Sequence, residues 1–261
     1  MMNIIVCIKQ VPDTNEVKLD PVTGTLIREG VPSIINPDDK AGLEAALHIK
    51  DEYGAKVTVI SMGPQQADLA LREALAMGAD EAILVTDRAF GGADTWATSS
   101  TLASAIKKMD YDLIITGRQA IDGDTAQVGP QIAEHLGLAN ISYAEDIKID
   151  GDSVLVRRQY EDRYHMLKAK MPCLITALSE MNKPRYMTPG GIFDAYRDKK
   201  VIIWTRADLD VAEGNIGLKG SPTRVYKSFT KAVKGKGTIV ALDTQESVDF
   251  LIEKLQEKFI L

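Results

Sequence analysis

Four short apolar runs, at residues 4–8, 56–62, 81–86 and 111–116, punctuate the first half of the chain. Each is the length of a strand rather than a helix and is rich in β-branched residues, the pattern of a strand buried on both faces. Between them, apolar residues recur three or four apart: Leu43, Ala46 and Leu47; Ala70, Ala74 and Met77; then Val128, Ile132 and Leu136. That spacing marks one face of a helix. Asn36 and Pro37 supply an N-cap and a first helical residue, Gly78 a stop, and Asp94 or Thr95 the cap of a helix reaching about Lys108. Strands alternating with helices build a parallel sheet covered on both faces. The expected fold class is therefore α/β: a doubly wound, mostly parallel, Rossmann-like sheet with its ligand crevice at the carboxyl ends of its strands. On that rim should lie Cys7, Met62, residues 87–98 and residues 117–128.

Residues 117–127, Gly-Arg-Gln-Ala-Ile-Asp-Gly-Asp-Thr-Ala-Gln, lie between the fourth run and the helix marked by Val128. Asp124 and Thr125 are natural N-caps, and the first-turn N–H groups behind them have no intrahelical partner. Those donors and the helix dipole favour a phosphate or pyrophosphate, and Gly117 and Gly123 permit close approach of backbone to ligand. On spacing alone, an ordinary capped helix explains the stretch equally well.

Beyond Gly137 the pattern changes. Residues 147–150, 154–160 and 166–170 read as antiparallel strands with a tight turn at 150–152, and residues 172–178 as a strand returning to the main sheet. Residues 17–20 and 25–28 flank Pro21-Val22-Thr23-Gly24 as a hairpin, residues 182–193 read as a Pro- and Gly-rich surface loop, and 201–204 as a short strand. Residues 206–236 are polar, basic and without strong periodicity, so they suit an arm lying on a partner better than a core. Residues 247–261 close the chain as an amphipathic helix with Val248, Leu251, Ile252, Leu255 and Phe259 on one stripe. The division expected is a nucleotide-binding domain over 1–205 and an arm with a helix over 206–261.

Several chemistries are disfavoured. A net charge of −6 argues against broad nucleic-acid or anionic-membrane binding. No apolar run spans a membrane, and no charged front end precedes the first strand. Two cysteines, Cys7 and Cys173, fall in no CxxC spacing and suit a reducing compartment, so a cytoplasmic location is expected. His48, His135 and His165 pair with no metal-ligand spacing. Neither a GxSxG elbow nor a Walker A sequence is present. Residues 91–95, Gly-Gly-Ala-Asp-Thr, faintly resemble a pyrophosphatase loop without its leading serine. Asp38 and Asp39 at a helix start are explained by capping. What remains is a nucleotide-binding domain in which a bound cofactor does the chemistry.

The chain resembles the β subunit of electron-transfer flavoprotein over essentially its whole length. The resemblance is carried by residues 6–13 (Val-Cys-Ile-Lys-Gln-Val-Pro-Asp), Asn36-Pro37-Asp38, residues 74–80 (Ala-Leu-Ala-Met-Gly-Ala-Asp), residues 117–124, residues 156–176 and Pro184-Arg185-Tyr186. Arg163 departs from a small or acidic residue usual there. The resemblance implies a heterodimer with an α subunit that carries one FAD, with the β chain's arm wrapped around it. It also implies one of two ligands at the 117–128 site. Conventional members hold AMP structurally. Bifurcating members hold a second FAD, which takes a hydride from NADH and sends one electron to ferredoxin or flavodoxin and the other, through the α-subunit FAD, to a partner dehydrogenase such as an acyl-CoA dehydrogenase. Residues 90–98 look like the bifurcating type, since a second glycine-opened helix start offers donors to the longer ligand.

Carried over position by position, the cofactor site comprises Cys7, Asn36, Met62, Ala120, Asp122, Thr125, Gln127 and Val128, with Asp94, Thr95 and Thr98 added as flavin contacts. No side chain is expected to act as acid or base. Residues 186–193 match the loop that docks the dehydrogenase; Tyr186, Met187, Pro189, Ile192 and Phe193 are its candidates, with Pro189 near the position of a leucine in conventional members. The alternatives are a conventional AMP-holding subunit and, from another class, a standalone nucleotide-hydrolysing enzyme of similar fold.

Overall fold

In the computed structural model, which describes residues 1–13, 32–226, 235, 237 and 239–261, the elements follow the expected alternation. They are β1 (Asn3–Cys7), β2 (Gln10–Pro12), β3 (Ser33–Ile35), α1 (Pro37–Tyr53), β4 (Lys56–Met62), α2 (Asp68–Met77), β5 (Glu81–Val85), α3 (Thr95–Ile106), β6 (Leu113–Gly117) and α4 (Val128–Leu136). Then come β7 (Ala139–Asp150), β8 (Ser153–Tyr160), β9 (Arg163–Lys170), β10 (Cys173–Ala177), α5 (Pro189–Arg197), β11 (Val201–Trp204) and α6 (Thr244–Glu257).

One nine-stranded sheet runs β11-β5-β4-β1-β6-β10-β7-β8-β9. It is parallel from β11 to β7, and β8 and β9 add antiparallel to its end. Chain order reverses around β1, which has β4 on one side and β6 on the other. A sheet opens a ligand crevice at that switch point, beyond the carboxyl ends of the strands.

Successive strand residues point to opposite faces and enter different cores. Ile4, Val6, Val59 and Ile115 pack with Leu43, Leu47, Leu71 and Leu75 of α1 and α2. Ile5, Ile60, Ile83 and Ile114 pack with Leu102, Ile106 and Ile132 of α3 and α4. Burial on both sides is why these strands read as continuous apolar runs. Gly42 and Gly129 bring two helices close to the sheet: a Cβ on Gly42 would meet Ile115 Cγ2 at 2.9 Å, and one on Gly129 would meet Thr176 Cγ2 at 2.9 Å.

One expectation changes. Residues 189–193, expected within a loop, open α5: Thr188 accepts the Gly191 N–H at 3.0 Å as N-cap and Pro189 takes the first helical position. The two glycines that follow obscured the start. The compact unit Met1–Tyr226 includes residues 206–226. Leu209, Val211 and Ile216 are buried in the α3/α4 core. The hairpin expected at 17–28 lies outside the described residues.

The second unit, Lys227–Leu261, holds α6, capped by Asp243 through the Glu246 N–H at 2.9 Å. None of its helical residues is buried, and Val248, Leu251 and Ile252 are exposed. Among the described residues no helix is long and apolar enough to cross a membrane, and no group of three metal-ligating side chains occurs.

Candidate functional site

The carboxyl ends of β1 and β6 lie side by side, Cys7 opposite Thr116, and the turn 117–127 rises from the second. The start of α1 fixes it. Asn36, fully buried, makes no cap bond to its own helix; its amide donates to the Gln119 carbonyl at 2.7 Å and accepts the Ile121 N–H at 3.0 Å. Asp38 accepts the Ser179 N–H at 3.0 Å, with the Gln119 N–H at 3.4 Å and the Arg118 guanidinium at 3.4 Å beside it. Asp39 accepts the Lys9 N–H at 2.8 Å and the Gly117 N–H at 2.9 Å. The acidic pair expected to cap α1 therefore holds other segments in place.

Lys9 Nζ meets both oxygens of Asp122, at 2.6 and 2.8 Å, and so neutralises a carboxylate that would repel a phosphate. Burial, with the nearby Asp39 charge adding to it, pushes the Cys7 thiol up to about 12. Cys7 is a packing residue at a strand end, not a nucleophile.

The cap of α4 differs from the expectation. Gln127, not Asp124 or Thr125, stands at the N-cap, and no side chain caps the first turn. Asp124 accepts from Gln119 Nε2 at 2.9 Å. Asp124 and Ala126 have φ of 48° and 52°, a backbone region that non-glycine residues occupy at a cost and that clusters at binding sites. The space a side chain on Gly117 would fill is taken by Asp39 rather than left for a ligand; that beside Gly123 is open.

A second turn, 90–98, meets the first. Asp94 caps α3 through the Ala97 N–H at 3.0 Å. Its other oxygen accepts the Thr223 N–H and hydroxyl at 2.9 and 2.7 Å, and its own N–H donates to Ser221 Oγ at 2.8 Å. Burial pulls this carboxyl up, but those donors outweigh it and leave it below its ordinary range. Protein groups thus occupy Asp94. Gly92, at φ 71°, packs on Leu218, whose N–H donates to the Gly91 carbonyl at 3.0 Å.

Thr95 Oγ1 donates to Gln127 Oε1 at 2.8 Å, joining the starts of α3 and α4. Thr98 is half-buried one turn along α3, and Met62 is half-buried at the end of β4. Ala120 is half-buried and Thr125 exposed in the first turn, and Val128 is half-buried at the start of α4. A hollow of about 490 Å³ abuts the second turn, lined by Trp96, Gly214, Lys219, Gly220, Ser221 and Pro222.

The docking candidates lie elsewhere. Arg185 donates through N–H and Nε to buried Glu44, both at 2.9 Å, and through Nη2 to Asp51 at 2.8 Å. That anchor fixes the chain just before Tyr186, Met187, Pro189, Ile192 and Phe193, all exposed. Sequence reasoning missed the anchor, the two aspartates and the Ser221–Thr223 clasp, because each works between segments far apart in the chain.

Fold and site together define an α/β domain of the doubly wound kind, with two helix starts meeting beyond the carboxyl ends of the strands. The electron transfer flavoprotein domain matches residues 23–209. Electron transfer flavoprotein subunit beta of Clostridium acetobutylicum is 61% identical over 98% of this chain and 99% of its own. The caffeyl-CoA reductase-Etf complex subunit CarD of Acetobacterium woodii is 56% identical over the full length of both. The acryloyl-CoA reductase electron transfer subunit gamma of Anaerotignum propionicum is 47% identical, again over both full lengths. The chain belongs to the electron transfer flavoprotein family, among its β subunits.

Proposed function

We propose that this chain is the β subunit of an electron-bifurcating flavoprotein and that the crevice over β1 and β6 holds FAD. When bound, that FAD supplies the redox chemistry, taking a hydride from NADH and dividing the electrons between ferredoxin or flavodoxin and, through an FAD on the α subunit, a partner dehydrogenase. The protein's share is binding, orientation and electrostatics.

The observation that carries this reading is the Thr95–Gln127 hydrogen bond, which places two helix starts against one another. One start is left without a side-chain cap, as a phosphate site requires. The second turn adds the Thr95 and Thr98 hydroxyls, more donors than one phosphate needs. Asp122 enters already paired with Lys9. The names of the caffeyl-CoA and acryloyl-CoA reductase relatives support a CoA-thioester dehydrogenase or reductase as partner. We assign Tyr186, Met187, Pro189, Ile192 and Phe193 to its docking, and residues 227–261, with the apolar stripe of α6, to the α subunit.

A second reading has its own support. Asp94 is filled by protein donors, which leaves fewer groups for a long ligand and suits AMP. Cofactor extraction from the co-expressed αβ protein separates the two. Two FAD per pair, both bleached by NADH, is the expected result; one FAD with one AMP would replace the bifurcating reading by the conventional one. Thr95→Val should lower β-site FAD content several-fold while leaving AMP binding within about twofold, since one neutral hydrogen bond contributes roughly 1 kcal/mol. Equal effects on both ligands would count against a role for the second turn in flavin binding.

A further inference from the structure

Asp39 is a carboxylate in the first turn of a helix, a place where acids ordinarily serve the helix itself. Here its two oxygens reach away. Oδ2 takes the N–H of Lys9, just beyond β1, and Oδ1 takes the N–H of Gly117, the last residue of β6. One buried side chain therefore ties neighbouring parallel strands at their carboxyl ends, under the turn that meets the ligand. A Cβ on Gly117 would fall on this carboxylate, so the glycine and the acid are fitted to each other.

We infer that Asp39 is a positioning residue of the 117–122 turn, beside Asn36 and Asp38, and that its ionised form is the one that keeps the start of the turn in its binding conformation. This rests on the reading that the turn binds a nucleotide. Each oxygen accepts one N–H, and a proton on either removes the charge that strengthens both bonds and weakens that oxygen as an acceptor, so the hold on the turn slackens on protonation.

The groups around it set where that happens. The Lys9 ammonium, itself paired with Asp122, lies on the β1 side. The neutral Cys7 thiol lies at the end of β1, Asn36 and Asp38 stand on α1, and Arg118 follows Gly117 with its guanidinium beside Asp38. Burial raises Asp39 most; hydrogen bonds from Lys9, Asn36 and Gly117 and the Lys9 charge oppose it, leaving the carboxyl pushed up to about 7. A released turn would leave Asp39 buried but without these donors and so with a still higher pKa; the held turn is the lower-pKa state, favoured above about 7 and given up as the pH falls through that value.

The test uses the co-expressed αβ protein and AMP as probe, with affinity measured from pH 6 to pH 8.5 in the wild type and in Asp39→Asn. The expected wild-type result is a roughly tenfold loss of affinity between pH 8 and pH 6, as one coupled proton dictates. Asp39→Asn should bind about tenfold more weakly at pH 8, and the gap should close at pH 6. The AMP phosphate titrates near pH 6 in both proteins, so the readout is the difference between them. A variant that keeps the full wild-type profile overturns the inference. Hydrogen exchange of the 117–122 segment without nucleotide gives an independent arm. Exchange should be faster in the variant at pH 8 and equal at pH 6, and identical exchange at both would also overturn the role. If AMP binds neither protein, the nucleotide reading fails while exchange still decides what Asp39 does.

Discussion

Gly117→Ala should abolish nucleotide retention and cost roughly 2–6 kcal/mol of stability, the sum of overpacking at about 1–3 kcal/mol and a buried acceptor losing its donor at about 1–3 kcal/mol. The added methyl has nowhere to go. It would fall against the Asp39 carboxylate and backbone and lie 2.9 Å from Asp38 Cβ. These are neighbours on the first turn of α1, which is itself packed on β6 through Gly42. Relief requires β6 to draw back from α1, and that breaks the Gly117–Asp39 hydrogen bond and shifts every residue of the turn that follows. Gly123→Ala provides the control. Nothing lies within 4 Å of its Cβ direction, and its stability should stay within about 1 kcal/mol of wild type. Urea denaturation of the two variants, with nucleotide content measured on the purified proteins, checks the pair. Matching midpoints, with nucleotide retained in Gly117→Ala, would show that the close packing around Gly117 relaxes without consequence.

The sheet was legible because its signal is local. Both faces of β1, β4, β5 and β6 are buried, so each announces itself as an apolar run, and Pro37 and Gly78 mark helix ends where a missing N–H or an unusual φ is useful. Residue-level roles at the rim were less legible because they are pairings across the fold. Asn36 beside Pro37 has the sequence appearance of a cap, yet its amide serves a loop more than eighty positions away. Asp38 and Asp39 look the same and do the same kind of work for Ser179, Lys9 and Gly117. Asp124 and Thr125 were reasonable caps by type, but Asp124 and Ala126 turn through positive φ and move the helix start to Gln127. Residues 206–226 lack any period because they are pinned at irregular points, by Leu209, Val211 and Ile216 in the core and by the Ser221–Thr223 clasp on Asp94. Periodicity detects elements that repeat a contact; it does not detect a strap that makes each contact once.

Asn36→Leu has the second large effect, and its pattern separates a ligand contact from a loop anchor. Leucine matches asparagine closely in shape and suits a fully buried position. It nevertheless leaves the Gln119 carbonyl and the Ile121 N–H without the partners they now have at 2.7 and 3.0 Å. Each lost partner costs about 1–3 kcal/mol, so the variant should lose roughly 2–6 kcal/mol in urea and bind AMP or FAD far more weakly. Asn36→Asp should be no milder: its carboxylate still accepts from Ile121 but is buried against the Gln119 carbonyl and beside Asp39 with no donor to offer. Both variants are therefore expected to fall below wild type in stability and in nucleotide affinity, with the two falling together. If Asn36 touched the ligand and did nothing for the turn, affinity would collapse in Asn36→Leu while the urea midpoint stayed in place. The geometry argues against that outcome, because both functional atoms of the amide are already engaged by the turn and the side chain has no exposed surface to offer a nucleotide.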